Sequence, residues 1–283
     1  MGGRLPNFAY IGPSKAGSTW LHEVLIRHPQ VFMSPAKDIY FFDRYFDRGL
    51  EWYASHFQEA GTTHRVVGEV CQEYLSSPDA PERMRDCLGA DLKLMLTVRD
   101  PVDRAFSCFL YMRKHGVFSG SFRQALESRP GLLDHARYAT LASRFLAHFP
   151  RSAIHCAVFD DLVVGPQTFI DRVSLWLRLD PMVLDESLIA ARLPASRARY
   201  LPLARVVKIG ANWARDHRAT SVIGRVKRSS LVQTTLYRPL VTDRPVLLQD
   251  DVRYIRERMY PEITEVERTF GLDLIERWGW DNR

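Results

Sequence analysis

The sequence predicts an α/β fold in which a central parallel sheet is covered by helices on both faces. Short β-rich apolar runs alternate with longer segments of helical periodicity up to about residue 180. The runs are nearly continuous in hydrophobicity, as strands buried on both faces require. The composition, 283 residues with 46% hydrophobic and 25% charged, is that of a globular chain able to bury a core without disulfides or a structural metal.

Taken in order, Phe8 to Ile11 is the first strand, and Thr19 to Arg27 is a helix with Trp20, Leu21, Val24 and Leu25 on one face. Val31 to Met33, Val66 to Val70 and Leu92 to Val98 are further strands. Val102 to His115 is a helix whose expected buried stripe is Ala105, Phe109 and Met112, followed by a helix over Tyr138 to Phe149 and a strand over Ile154 to Phe159. Beyond about residue 180 the strand signal fades, and the chain ends in helical patterns over Tyr254 to Met259 and Val266 to Trp278. No linker stands out, so residues 1–283 read as a single domain with a helical, lid-like part over 195–283.

Several classes are disfavoured. No apolar run approaches the length of a membrane span, and Met1 to Asn7 lacks a signal-peptide apolar core, so a cytoplasmic protein with no membrane partner is expected. Met1-Gly2 is followed by Pro6 where a myristoylation motif needs Ser or Thr. Cys71, Cys87, Cys108 and Cys156 form neither a Cys-x-x-Cys pair nor a zinc spacing and are expected as free thiols. The net charge of +6 is concentrated, since residues 197–228 hold nine basic side chains and one acid. That concentration suggests a local anionic partner, either nucleic acid or a phosphorylated small ligand.

The N-terminus favours the small ligand. The first strand runs into Gly12-Pro13-Ser14-Lys15-Ala16-Gly17-Ser18-Thr19-Trp20 and then a helix. Such a turn points backbone N–H groups into one concavity and adds the partial positive charge of the helix N-terminus, which suits phosphate or sulfate. The loop departs from the triphosphatase pattern Gly-x-x-x-x-Gly-Lys-Ser/Thr, because Ser18 stands where the lysine belongs and the lysine is Lys15, inside the loop. A lysine there lies beside a shorter group on the 5′ side of a nucleotide. The strand Leu94 to Val98 runs into Arg99, which disfavours magnesium-triphosphate chemistry. At its end, Arg99 and the hydroxyl of Ser107 on the next helix can face one crevice and bind a second phosphate, the guanidinium as a bidentate donor. Arg104 is read as a surface or structural charge.

The segment Pro13 to Leu21 resembles the 5′-phosphosulfate loop of the sulfotransferases that use 3′-phosphoadenosine 5′-phosphosulfate (PAPS). Leu96-Thr97-Val98-Arg99-Asp100-Pro101-Val102-Asp103-Arg104-Ala105-Phe106-Ser107 resembles that family's 3′-phosphate motif. Ser34 to Asp43 and Gly49-Leu50-Glu51-Trp52-Tyr53 resemble the Lys-Glu-x-x-Phe-Phe and Gly-x-x-Trp-Tyr stretches of glycan-type sulfotransferases and their bacterial relatives. The likeness runs through Tyr138, Phe149-Pro150 and a late strand ending in Asp161-Leu162, and resumes in the final helices around Tyr260-Pro261 and Gly271-Leu272.

This resemblance implies a P-loop-like three-layer fold and transfer of a sulfuryl group from PAPS to a hydroxyl of a small-molecule or glycoside acceptor. 3′-Phosphoadenosine 5′-phosphate (PAP) leaves, and no metal is required. It implies that Lys15, Ala16, Gly17, Ser18, Thr19 and Trp20 hold the 5′ end, that Arg99 and Ser107 hold the 3′-phosphate, and that Arg225 and Lys227 close over it. Asp38 occupies the place of the proposed general base, where glycan enzymes carry Glu; His56 and His64 are the alternatives. Val70 replaces a lysine that helps glycan enzymes hold a sulfated polymer, so the expected acceptor is less anionic. Glu69 is expected to contact the acceptor or Lys15, or to be a structural acid. The competing readings are a kinase or NTPase with a displaced lysine, and a nucleic-acid-binding module using residues 197–228, which would show steep salt dependence.

Overall fold

The computed structural model describes residues 4–190, 196–198, 237–239 and 245–281. Its main sheet holds β1 (Phe8–Gly12), β2 (Val31–Met33), β3 (Val66–Val70), β4 (Lys93–Val98) and β5 (Ile154–Val158) in the order β2-β3-β1-β4-β5. Every pairing is parallel. All five residues of β1 and of β3 are buried, which is why these segments read as unbroken apolar runs.

Side-chain alternation divides the core into two layers. Ala9, Ile11, Val67, Cys71, Leu94, Leu96 and Val98 face one side. That side is covered by α2 (Gly49–Ala54), α3 (Ala80–Leu88), α4 (Pro101–Lys114), α5 (Phe122–Ser128), α6 (Gly131–Asp134) and α7 (Tyr138–Leu146). Phe8, Tyr10, Val66, Val70 and Met95 face the other. There they meet α1 (Ser18–Leu25), α8 (Phe159–Val164), α9 (Pro166–Leu177) and α10 (Glu186–Ala190). This is the three-layer arrangement the sequence predicts.

The expected strands are present. The expected α4 stripe holds for Ala105 and Phe109, whereas Met112 is only half-buried. The late strand stops at Val158, and Asp161-Leu162 lies on α8. Leu162 packs behind the first loop, and Asp161 pairs with Arg172 at 3.2 Å and with Arg277.

The two C-terminal helices expected over Tyr254 to Met259 and Val266 to Trp278 are instead one long helix, α11 (Gln249–Phe270), and a short α12 (Leu274–Arg277). Pro261 sits inside α11 without ending it. Its ring is exposed, while Ile255, Met259, Ile263, Val266 and Phe270 are buried. Burying that stripe outweighs the one hydrogen bond proline removes. The chain turns at Gly271, in the left-handed region at φ 68°, and α12 follows.

A second, unanticipated strand pair, β6 (Ser196–Ala198) antiparallel to β7 (Tyr237–Pro239), lies where a helical extension was expected. Arg225 and Lys227, with nearly all of the basic segment, lie outside the described residues. Among the described residues no helix is long and apolar enough to cross a membrane. The four cysteines are free thiols, as expected.

Candidate active site

The strand order reverses between β1 and β4, since the connection after β1 leads to β2 on one side and the connection after β4 leads to β5 on the other. The carboxyl ends of these strands therefore open a crevice at a topological switch point. The loop after β1 and Arg99 after β4 both lie there.

The loop is shaped by residues that tolerate few substitutions. Gly17 has φ 88°, and a Cβ on it would come within 2.6 Å of Leu162 Cδ2. Gly12 has φ 136°, and its Cβ would come within 2.6 Å of the Gln72 carbonyl oxygen. Lys15 is itself left-handed, at φ 68°. Gly17 begins α1 with no capping side chain and no acid in the first turn. The N–H groups of Ser18, Thr19 and Trp20 are thus the unpartnered donors of a helix N-terminus. Trp20 contributes only that backbone group: its indole is buried against Phe169 and donates to the Leu188 carbonyl at 2.8 Å. Ala16 is buried in the loop wall.

Arg99 joins the two motifs. Its Nη1 donates to the Lys15 carbonyl at 2.9 Å, and its guanidinium lies 4.5 Å from the centroid of Phe159. Tyr138 Oη donates to the Arg99 carbonyl at 2.7 Å. Of the neighbouring acids, Asp100 caps α4 through the Val102 N–H at 2.8 Å and accepts from Trp280 Nε1 at 3.1 Å, while the charge of Asp103 favours the Arg99 cation against its burial. Arg99 Nε is buried with no hydrogen-bond partner. A buried guanidinium N–H left open beside an anion-shaped loop is the donor a phosphate would satisfy.

Lys15 faces α4, its ammonium 4.9 Å from the Tyr111 ring centroid. Burial lowers its pKa, and Arg99 and Lys37 add repulsion. Ser107, Tyr111 and Lys114 recur at i, i+4 and i+7 along α4, so they share one helix face with Lys15 against it. Ser107 is half-buried there. Lys114, which the sequence reading did not single out, is pushed down to about 8, chiefly by burial and then by Lys15. Its spacing from Ser107 was the available signal.

Asp38 lies past the carboxyl end of β3, its N–H donating to the Val70 carbonyl at 2.8 Å. Its Oδ1 accepts from the Gln72 N–H at 3.3 Å, and its Oδ2 lies 3.5 Å from Lys37 Nζ. The ion pair is largely buried rather than solvated. His64 is at the other end of β3, accepting from the Gly61 N–H and packed on Phe32. His56 packs on Trp52, with Nδ1 at the Trp52 carbonyl. Burial lowers the pKa of His135, with the charges of Glu73, Arg104 and Asp134 acting on it.

For Glu69 and Arg104 the structural alternative holds. Glu69 touches neither Lys15 nor an open pocket: it is fully buried and accepts from Tyr53 Oη at 2.5 Å and from Tyr74 Oη at 3.1 and 3.2 Å. Arg104 is not a surface charge; it is fully buried and donates to the Leu132 carbonyl. Phe41, Phe42, Trp52 and Tyr53 are core residues, while Tyr40 is half-buried with Arg44 stacked on it at 4.2 Å.

Burial drives the Glu69 carboxyl up to about 8 against an ordinary 4.5, so folding takes up a proton at neutral pH. Its stabilising contribution is complete below pH 4.5 and is lost as pH rises towards 8. Glu69→Gln should therefore gain on the wild type by about 3 kcal/mol between pH 5 and 8. Urea unfolding across that range checks this; parallel curves for the two proteins would contradict it.

A family model described as a sulfotransferase domain matches residues 6–192. The chain belongs to the sulfotransferase family. This sulfotransferase is 38% identical over 105 residues to the membrane-associated sulfotransferase kil1 of Dictyostelium discoideum, a match covering 36% of this chain and 22% of that protein. It is 32% identical over 192 residues to human heparan sulfate glucosamine 3-O-sulfotransferase 6, covering 65% of this chain and 55% of that protein. The chain thus matches about half or less of the length of these relatives. The crystal structure of a sulfotransferase from Alicyclobacillus acidocaldarius superposes with a TM-score of 0.58 at 24% identity, over 65% of this chain and 88% of that one. That likeness supports the P-loop-like fold.

Proposed function

We propose that this sulfotransferase moves the sulfuryl group of PAPS to a hydroxyl of a small-molecule or glycoside acceptor, releasing PAP. The observation that carries the reading is the hydrogen bond from Arg99 to the Lys15 carbonyl, which makes one cationic pocket of the two motifs. In this reading the N–H groups of residues 16–20 and Ser18 and Thr19 hold the 5′ end. Arg99, through its open Nε–H, and Ser107 hold the 3′-phosphate. Arg225 and Lys227 remain candidates for closing over it.

The donor supplies a sulfuryl group on a good leaving phosphate. Lys15, desolvated against Tyr111, places positive charge where the leaving oxygen gains negative charge, and Lys114 adds a second cation on the same wall. Asp38 takes the acceptor proton. The rate gain rests on positioning and fixed charge. The acceptor side is acidic: Asp43 is pushed up to about 6, first by burial, and Glu73 repels it further. With Val70 buried in place of a cation, this supports a neutral or weakly charged acceptor over a polyanion. Four free thiols are in keeping with a cytoplasmic enzyme.

The kinase reading needs a strand-end carboxylate open to magnesium. By position that group is Glu69, and Tyr53 and Tyr74 enclose it.

The test is PAP affinity by calorimetry. Arg99→Ala should weaken it about 10²-fold, since it removes charge-assisted hydrogen bonds to a phosphate, and Arg99→Lys should restore part of the loss. Unchanged affinity in Arg99→Ala would remove the 3′-phosphate role.

A further inference from the structure

The segment bearing Asp38 is held in a costly backbone. Asp38 has φ 63° and Tyr40, two residues on, has φ 61°. Left-handed conformations at non-glycine residues persist only where the surroundings fix them, and they collect at functional sites. Tyr40 is tied through its carbonyl, which accepts from the Arg44 N–H at 2.9 Å and the Tyr45 N–H at 3.0 Å.

The next tie lies deeper. The Phe41 N–H donates to Tyr74 Oη at 3.0 Å, and Tyr74 Oη in turn donates to the Glu69 carboxyl. Tyr53 Oη donates to the same carboxyl at 2.5 Å. Glu69, Tyr53 and Tyr74 are fully buried. The rings are fixed as well: Phe41 stacks on Tyr53 at 4.5 Å, and Phe42 meets Tyr74 edge-on at 5.5 Å. The fork thus spans β3, α2 and the turn after β3, and only its Tyr74 arm reaches the backbone that carries Asp38.

We propose that Tyr74, anchored on Glu69, is a positioning residue that holds the Phe41 amide and thereby sets the aim of the Asp38 carboxylate at the acceptor. This rests on Asp38 being the base. In the step it serves, the acceptor O–H proton passes to Asp38, the acceptor oxygen bonds sulfur, the bond from sulfur to the bridging oxygen breaks, and PAP leaves. Without the tyrosine hydroxyl the Phe41 N–H is a buried donor with no acceptor, and the left-handed turn loses a constraint. A displacement of about 1 Å at a reacting group can cost up to 10²-fold in rate.

The two tyrosines supply their own control, because each →Phe change removes one hydroxyl bond to Glu69 and keeps the ring, but only Tyr74→Phe frees the Phe41 amide. The readouts are PAP affinity, hydrogen exchange of the Phe41 amide, and the rate of PAP release from labelled PAPS, with water and with the best of a panel of phenols and simple glycosides as acceptors. Tyr74→Phe should lower the rate tenfold or more, expose the Phe41 amide to exchange and leave PAP affinity unchanged. Tyr53→Phe should stay within about threefold of wild type. In an Asp38→Asn background Tyr74→Phe should cost nothing further.

Equal rate losses in the two tyrosine variants, or a full Tyr74→Phe effect on top of Asp38→Asn, would overturn the proposal. An Asp38→Asn enzyme as fast as wild type sinks the base assignment itself. A slow Asp38→Asn with a fast Tyr74→Phe sinks only the positioning role.

Discussion

Lys15→Met should leave a folded protein whose donor turnover is about 10²- to 10³-fold slower than wild type, the range seen when one preorganised charge-stabilising group is removed. Methionine keeps the length of the side chain over Tyr111, and the Lys15 carbonyl still accepts from Arg99, so the loop geometry survives. Stability should not fall, because burial already disfavours the charged ammonium and methionine removes that penalty. The loss should concentrate in kcat, since the charge is needed most as the bridging oxygen becomes anionic. Turnover of labelled PAPS with unfolding monitored in parallel measures both; a rate within tenfold of wild type would contradict the role.

Asp38→Asn should lower turnover by about 10²-fold or more while PAP affinity stays near wild type. Asparagine tolerates the left-handed backbone at this position and can still accept from the Gln72 N–H, so the main change is loss of the proton acceptor. Lys37 loses its partner and stays near Lys15, so a modest drop in stability should accompany the rate loss. Full activity in this variant would pass the base role to another group.

The sheet was legible because its strands are buried on both faces, which leaves a hydrophobic run with little to confuse it. The loop Gly12–Trp20 and the Arg99 segment were legible as candidates because each sets its glycines, hydroxyls and cation at close spacing along the chain, between a strand and a helix. What stayed hidden depends on tertiary context. Pro261 marks a break in sequence, yet the buried stripe from Ile255 to Phe270 carries α11 through it. The strand from Ile154 ends at Val158, and the α8 that follows brings Leu162 behind Gly17, a contact distant in sequence. The sequence left Glu69 open between a ligand contact and a structural acid, and the choice depended on Tyr53 of α2 and Tyr74 of the turn after β3 closing on its carboxyl. Lys114 joined Ser107 once α4 was placed against Lys15.

A crystal structure with PAP tests the central claim most directly. The account predicts the 5′-phosphate on the amides of residues 16–20 beside Lys15, and the 3′-phosphate on Arg99, meeting its open Nε–H, with Ser107 alongside. A PAP molecule bound with its 3′-phosphate away from Arg99, or Lys15 and Arg99 directed into separate cavities, would contradict it.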